Sequence, residues 1–194
     1  MKTLATRITT LTDARYFAAR EVGFLAFRIE EGMDGFIDPM LVKAIKEWVE
    51  GPAILGEFER FSAEAVRETV AFLGLNGAVV GAAFSTKSLF ELGGLRVFRE
   101  ISEKNPARLA AQMAVEKALV EAFLIDADHF STGFLSEMAA QFPVFLKTSA
   151  SPEDILSLVE AIKPAGLIFT GSEEEKTGLR SFDEIEAVFE ALEG

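Results

Sequence analysis

Cysteine is absent from the 194 residues, and histidine, tryptophan and tyrosine occur once each. Without thiols there are no disulfides, no thiolate metal ligands and no thiol nucleophile. No apolar run reaches the roughly 18 residues that a membrane span needs. The opening MKTLATRITT has no apolar block of the signal-peptide kind, so a cytoplasmic location is expected. Positive charge is also scarce: 19 Lys and Arg stand against 31 Asp and Glu, a formal net charge of −12. A field of that sign repels nucleic acid and anionic membranes, whose binding depends on Lys and Arg neutralising phosphates, and neither is an expected partner. An anionic small molecule is held only where bases are gathered locally. The acidity itself reads as a solubility feature.

What is present is apolar residues, 49% of the chain, in a repeated rhythm. Short apolar runs alternate with helical patterns from end to end. The predicted strands are Thr3–Ile8, Gly23–Ile29, Ala53–Phe58, Gly77–Gly81, Leu95–Ile101, Ala122–Asp126, Pro143–Lys147 and Gly166–Thr170. Continuous runs such as FLAF, AFLI and GLIF suit strands buried on both faces, as in a parallel sheet covered by helices. Helix starts are written as Asp38-Pro39, Asn105-Pro106 and Ser151-Pro152, an N-cap followed by proline in the first turn. Leu41, Ala44, Ile45, Trp48 and Val49 are predicted to share one face of the second helix, which Gly51 closes. Ser62 opens a helix with Val66, Val70 and Leu73 inward, and the fourth helix, within Phe84–Leu92, is the weakest. Eight strands alternating with helices in one domain, residues 1–194, give an α/β fold: a (β/α)8 TIM barrel near its minimum length. The rival is a flavodoxin-like doubly wound sheet.

Barrels of this kind place their chemistry at the C-terminal ends of the strands. Those ends carry Thr6 and Arg7, Arg28 and Glu30, Glu57 and Glu59, Gly81, Arg99 and Glu100, Asp126 with Asp128 and His129, Lys147 and Ser149, and Thr170, Gly171 and Ser172. Asp126 ends an apolar stretch, where burial can turn a carboxyl into a general acid; equally it can cap backbone N–H groups or pair with Arg99 or Lys147. Arg7, Arg28, Glu57, Arg99, Asp126 and Lys147 either close the mouth as an ion-pair lattice or line a polar pocket, and either way need mutual contacts. His129 reads as solvated. No spacing fixes a metal site and no cofactor is expected.

The chain also resembles phosphoribosylanthranilate isomerases. RITTLTDARYFAAREVGFLAF is similar to that family's opening, with Ile8, Thr9, Asp13, Ala14, Gly23 and Phe27 matching. Phe36–Pro39 resembles the start of its second helix, FLID at 123–126 its sixth strand and acid, SPEDI at 151–155 the segment after the seventh strand, and IKPAGLIFTGSEEE the eighth strand and its turn. The resemblance implies an Amadori rearrangement of an aminoaldose phosphate, in tryptophan biosynthesis, by a cysteine base, an aspartate acid, an arginine on the anthranilate carboxylate and glycine-rich turns around phosphate. Asp126 keeps the acid. Thr6 stands at the cysteine, Arg7 at the glycine beside it, Gly35 at the arginine, and Val79 and Gly81 where the fourth strand would carry Gln and His. ADHFSTGF replaces a glycine-rich loop, Thr148-Ser149 replaces a Gly-Gly pair, and Glu173, Glu174 and Glu175 crowd the last turn.

Three functions are therefore expected in turn. The first is a divergent isomerase-like barrel without the family's reaction, serving binding or regulation. The second is a different acid/base enzyme on a small anionic or sugar-phosphate substrate, with Asp126 and Glu57 or Asp128 as the pair and Arg7, Arg28, Arg99, Lys147, Ser149, Thr170, Gly171 or Ser172 holding the anion. The third is an active isomerase with a substitute general base, since the hydroxyl of Thr6, which stands at the base's position, has too high a pKa to remove the proton unless something deprotonates it. A monomer or a homodimer is compatible with each, and phenylalanine-rich stretches such as FLGL and FLAF offer an apolar patch for a partner.

Overall fold

The computed structural model describes residues 1–171 and 182–192 and the backbone of 174–176, 179–180 and 193. Eight strands lie in chain order: β1 Lys2–Thr6, β2 Phe24–Arg28, β3 Ala53–Phe58, β4 Gly77–Val80, β5 Val97–Ile101, β6 Ala122–Asp126, β7 Val144–Lys147 and β8 Gly166–Thr170. Each pairs in parallel with the next, and β8 closes on β1 with Thr6 opposite Thr170, so the barrel is complete. The helices α1 Leu11–Ala19, α2 Pro39–Lys46, α3 Ala63–Leu73, α4 Thr86–Glu91, α5 Pro106–Glu116, α6 Thr132–Gln141, α7 Pro152–Ile162 and α8 Asp183–Glu193 return the chain between them. A small antiparallel pair, β9 Glu174–Lys176 and β10 Leu179–Arg180, precedes α8. The expected TIM barrel is the architecture, and a closed ring of strands excludes the open doubly wound sheet.

Helix starts follow the capping chemistry. Thr10, Asp38, Ser62, Ser85, Asn105, Ser131 and Ser151 each accept a backbone N–H two or three residues downstream. Each such cap contributes about 1 kcal/mol and fixes where the loop above a strand ends. Gly74 ends α3 in a left-handed turn (φ 61°) that costs glycine nothing. The face expected for α2 needs correction. Val42, Ile45 and Val49 are buried, whereas Leu41 is 47% and Trp48 71% exposed. Two stripes with the same i, i+3, i+7 spacing run side by side on this helix, and the β-branched stripe packs on the barrel.

Two apolar layers hold the fold. The outer one lies between barrel and helices. The inner one fills the lumen with Leu4, Phe24, Ala26, Leu55, Val79, Phe98, Ala122, Leu124 and Phe145. Phe24, Phe98 and Phe145 meet edge to face with centroids 4.8, 5.7 and 6.2 Å apart. A Cβ on Gly166 would run into the Phe145 ring, so this glycine makes room for the aromatic plug. Burying one such phenylalanine contributes about 2–3 kcal/mol.

Candidate functional site

Strand alternation settles which side chains reach the mouth. Two residues beyond the lumen-filling Leu4, Ala26, Leu55, Val79, Phe98, Leu124, Phe145 and Ile168 come Thr6, Arg28, Glu57, Gly81, Glu100, Asp126, Lys147 and Thr170. These residues form the C-terminal ring of the lumen. Arg99 has the opposite parity and is corrected accordingly: it points away from the mouth, 2% exposed. There its Nε donates to Glu116 at 3.2 Å, and its other nitrogens donate to the carbonyls of Gly81 and Phe84. Glu116, on α5, is 1% exposed and was not foreseen, although an acid in phase with buried Leu109 and Met113 is a legible sign of an internal pair.

The centre of the mouth is an ion pair. Glu57 takes the Arg7 backbone N–H at 2.8 Å and lies 3.3 Å from Nη2 of Arg28, whose Nη1 donates to the Asp34 carbonyl. Burial pushes the Glu57 carboxyl above its ordinary range, against the lowering pull of that N–H and of Arg28. The void beside this pair, bounded by Arg28, Glu57, Glu59, Val79, Gly81 and Glu100, measures about 10 Å³, room for about one water. Gly81 has no side chain to offer, and a Cβ there would collide with the Glu59 carboxylate. The Arg7 side chain turns outward to Asp34, 3.5 Å away, so Arg7 serves the mouth through its backbone. That backbone is left-handed (φ 54°), a conformation that suits glycine better than arginine.

Around this centre, carboxylates of the chain itself occupy the loop donors. Glu30, 3% exposed, accepts the N–H groups of Glu59 and Arg60 above β3 as well as the Arg60 guanidinium. Glu59 accepts Ala83 above β4, and Asp126 accepts Asp128 above β6. Asp128 bridges to the loop above β7, taking the Thr148 hydroxyl at 3.1 Å and the Ser149 N–H at 3.1 Å. Burial raises the Asp128 carboxyl, but the Ser149 hydroxyl and N–H and the Thr148 hydroxyl outweigh it and leave the group below its ordinary value. The Gly171 N–H donates to the Thr6 carbonyl at 2.8 Å, and a Cβ on Gly171 would meet the Arg7 carbonyl oxygen at 2.7 Å.

Of the remaining expected residues, Asp126 sits beside Lys147 in register yet forms no ion pair with it or with Arg99 among the described residues. Its carboxylate serves as a backbone cap. Lys147 and His129 are exposed, and Thr170 is half-buried opposite Thr6. Ser172 and Glu173 lie outside the described residues, as do the side chains of Glu174 and Glu175. Among the described residues no group of three or more His, Asp or Glu gathers as a metal site requires. A larger cavity, about 1140 Å³, opens beside the mouth between β7, β8, α7 and α8; Thr148, Ser149 and Thr170 are at its rim and Ile155, Leu167 and Val188 in its wall.

No family model matches the sequence, and no curated protein matches it. Solved structures do. The phosphoribosyl anthranilate isomerase from Thermus thermophilus superposes at a TM-score of 0.83 and 23% identity, over 100% of this chain and 98% of that one. The chain has the phosphoribosylanthranilate isomerase fold. The isomerase from Thermotoga maritima matches at a TM-score of 0.83 and 15% identity over 100% and 99% of the two chains. An isomerase in complex with reduced 1-(o-carboxyphenylamino)-1-deoxyribulose 5-phosphate matches at 0.83 and 16%, over the same shares. Identities of this size carry the fold and leave the chemistry to the residues. The Thr6 hydroxyl donates to the Phe169 carbonyl at 3.2 Å.

Proposed function

We propose that this barrel keeps the isomerase fold without the isomerase reaction and acts through binding or regulation. The observation that carries the reading is the state of the mouth donors. A phosphate dianion is seated by several free N–H groups at a turn or helix start. Here Asp128 takes Ser149, Glu57 takes Arg7 and the Thr6 carbonyl takes Gly171. A dianion arriving at Ser149 would have to displace a carboxylate and then sit beside it, two unfavourable terms. Proton abstraction also lacks an agent, since a threonine hydroxyl that donates to a carbonyl is neither deprotonated nor aimed at substrate.

The test is calorimetric titration with reduced 1-(o-carboxyphenylamino)-1-deoxyribulose 5-phosphate, the molecule in complex with one structural neighbour, together with an isomerase assay. We expect no saturable heat and no turnover. Saturable binding that Asp126→Asn abolishes, or turnover above a heat-inactivated control, would overturn the reading.

A second reading has its own support in the cavity of about 1140 Å³ and in the raised Glu57 carboxyl. In it a small anionic substrate enters beside β7 and β8, where Thr148, Ser149 and Thr170 line the cavity rim, and reaches across the mouth to Lys147 and Arg28 for its charge and to Glu57 and Asp126 for the acid and base roles. A bell-shaped pH–rate profile on any sugar-phosphate substrate, lost in Glu57→Gln, would favour it over the first.

A further inference from the structure

The cavity of about 1140 Å³ beside the mouth is a wedge between the barrel wall and two helices. Leu146 of β7 and Leu167 and Phe169 of β8 alternate with the lumen residues, so their side chains point outward and form one wall. Ile155 of α7 with Ile185 and Val188 of α8 forms the other. The apolar face of α8 explains the wedge. Ile185, Val188 and Phe189 recur at helical spacing and share one side of the helix. Towards the end of α8 that side is sealed, because Phe189 is buried and stacks on Phe169 with centroids 4.4 Å apart. Towards its start, Ile185 and Val188 are half-buried and border the cavity. Apolar walls with a few polar groups at one end are the make-up of a small-molecule site.

The charge around the rim selects the occupant. Among the described residues that line the cavity there is no Lys, Arg or His, while Asp183 and Glu184 belong to the lining and to the first turn of α8. Asp128 lies against the rim residues Thr148 and Ser149 at 3.1 Å, and Glu153 and Asp154 fill the first turn of α7 beside the lining residue Pro152. A helix start ordinarily attracts anions; here both starts carry acids of the chain itself, which offset that attraction. A carboxylate or phosphate brought to this rim meets like charge, whereas an ammonium meets opposite charge and hydroxyl oxygens that can accept its protons. The walls in turn reward an apolar body and give a bare cation nothing. We propose that this cavity binds a small molecule with an apolar body and an ammonium head. The body lies between Leu167, Ile155 and Val188, and the head lies among Asp183, Glu184 and the rim hydroxyls. The proposal rests on the reading of the barrel as a binding protein and names the class of its ligand.

Decylamine is the probe, and decanoate, with the same apolar character and the opposite charge, is its control. Calorimetric titration of the full chain near neutral pH, with both probes below micelle formation, should show one saturable site for decylamine. Decanoate should bind more weakly by about tenfold or more, and methylamine, a head without a body, should not bind. Val188→Phe fills the wedge and should abolish decylamine binding; an unchanged far-UV circular dichroism spectrum identifies a variant that folds. The surface pair of substitutions Asp183→Asn and Glu184→Gln should weaken decylamine by about fivefold and narrow its advantage over decanoate. Decanoate that binds as tightly as decylamine overturns the proposal. So does decylamine binding that the folded Val188→Phe chain retains, since the amine then sits elsewhere on an acidic surface. A folded chain that takes neither decylamine nor reduced 1-(o-carboxyphenylamino)-1-deoxyribulose 5-phosphate overturns this proposal alone and leaves a barrel without the isomerase reaction. Saturable binding of that phosphate, with displacement of decylamine, overturns both.

Discussion

Arg99 and Glu116 show what a single side chain does when its strand parity turns it away from the mouth. Both are almost fully buried, 3.2 Å apart, beneath α4 and α5. Removing one partner leaves an uncompensated charge in an apolar layer, so Arg99→Met should lower unfolding free energy by about 4 kcal/mol. The double variant Arg99→Met, Glu116→Leu removes both charges and should recover more than half of that loss. Urea unfolding of the wild type, the single and the double variant measures it. A double variant as unstable as the single would mean that the Gly81 and Phe84 carbonyls, and not the ion pair, are what Arg99 serves. The pair was half legible in the sequence: Arg99 announced a buried partner need, while Glu116, seventeen positions on, entered only through an acid out of place on an apolar helix face.

At the scale of elements, strands such as β2, β4 and β6 were legible because both faces are buried and the apolar runs are continuous, whereas β1 and β5 carry polar residues and were placed by the repeating rhythm around them. The caps were legible because Ser, Thr, Asp and Asn before proline or an apolar turn have few other uses. The α2 face was not, since two adjacent stripes share one period. The mouth was legible only as a roster of side chains. What binds what depends on loops meeting across the barrel, such as Asp128 with Thr148 and Ser149, or Glu30 with Glu59 and Arg60, pairings of 20 to 30 residues that no local pattern encodes.

These loop contacts fix a pH dependence. Burial raises Glu30, but the Arg60 and Glu59 N–H groups and the Arg60 guanidinium outweigh it and hold the carboxyl below its ordinary 4.5. Stability from Glu30, and likewise from Asp128, is therefore complete above the unfolded value and lost as pH falls through the folded one. Glu57 runs the other way: its folded value lies above 4.5, so stability declines as pH rises between the two. Urea midpoints between about pH 3 and about pH 7 should fall steeply on the acid side, and Glu30→Gln should flatten that limb while lowering stability at neutral pH by about 2 kcal/mol. A Glu30→Gln profile parallel to wild type would remove Glu30 from the loop architecture.

The whole molecule carries its −12 unevenly, with none of it on the span from α2 to α5. The excess is concentrated on the remaining flank, where it repels itself across the folded surface. Raising sodium chloride from about 0.01 M to about 0.5 M shortens the reach of that repulsion and should raise the melting temperature. A melting temperature that falls with salt would mean that surface ion pairs outweigh the repulsion.

The tied-off mouth has a thermodynamic counterpart. An enzyme with empty phosphate donors is stabilised when its ligand arrives, by an amount set by ligand concentration over dissociation constant. On the proposed reading, Asp128, tethered two residues from the strand that presents it, takes the place of that anion at the Ser149 N–H. Its effective concentration is fixed by the covalent chain and cannot be diluted away. If the mouth is closed in the way proposed, the melting temperature should stay level across a phosphate titration at constant ionic strength.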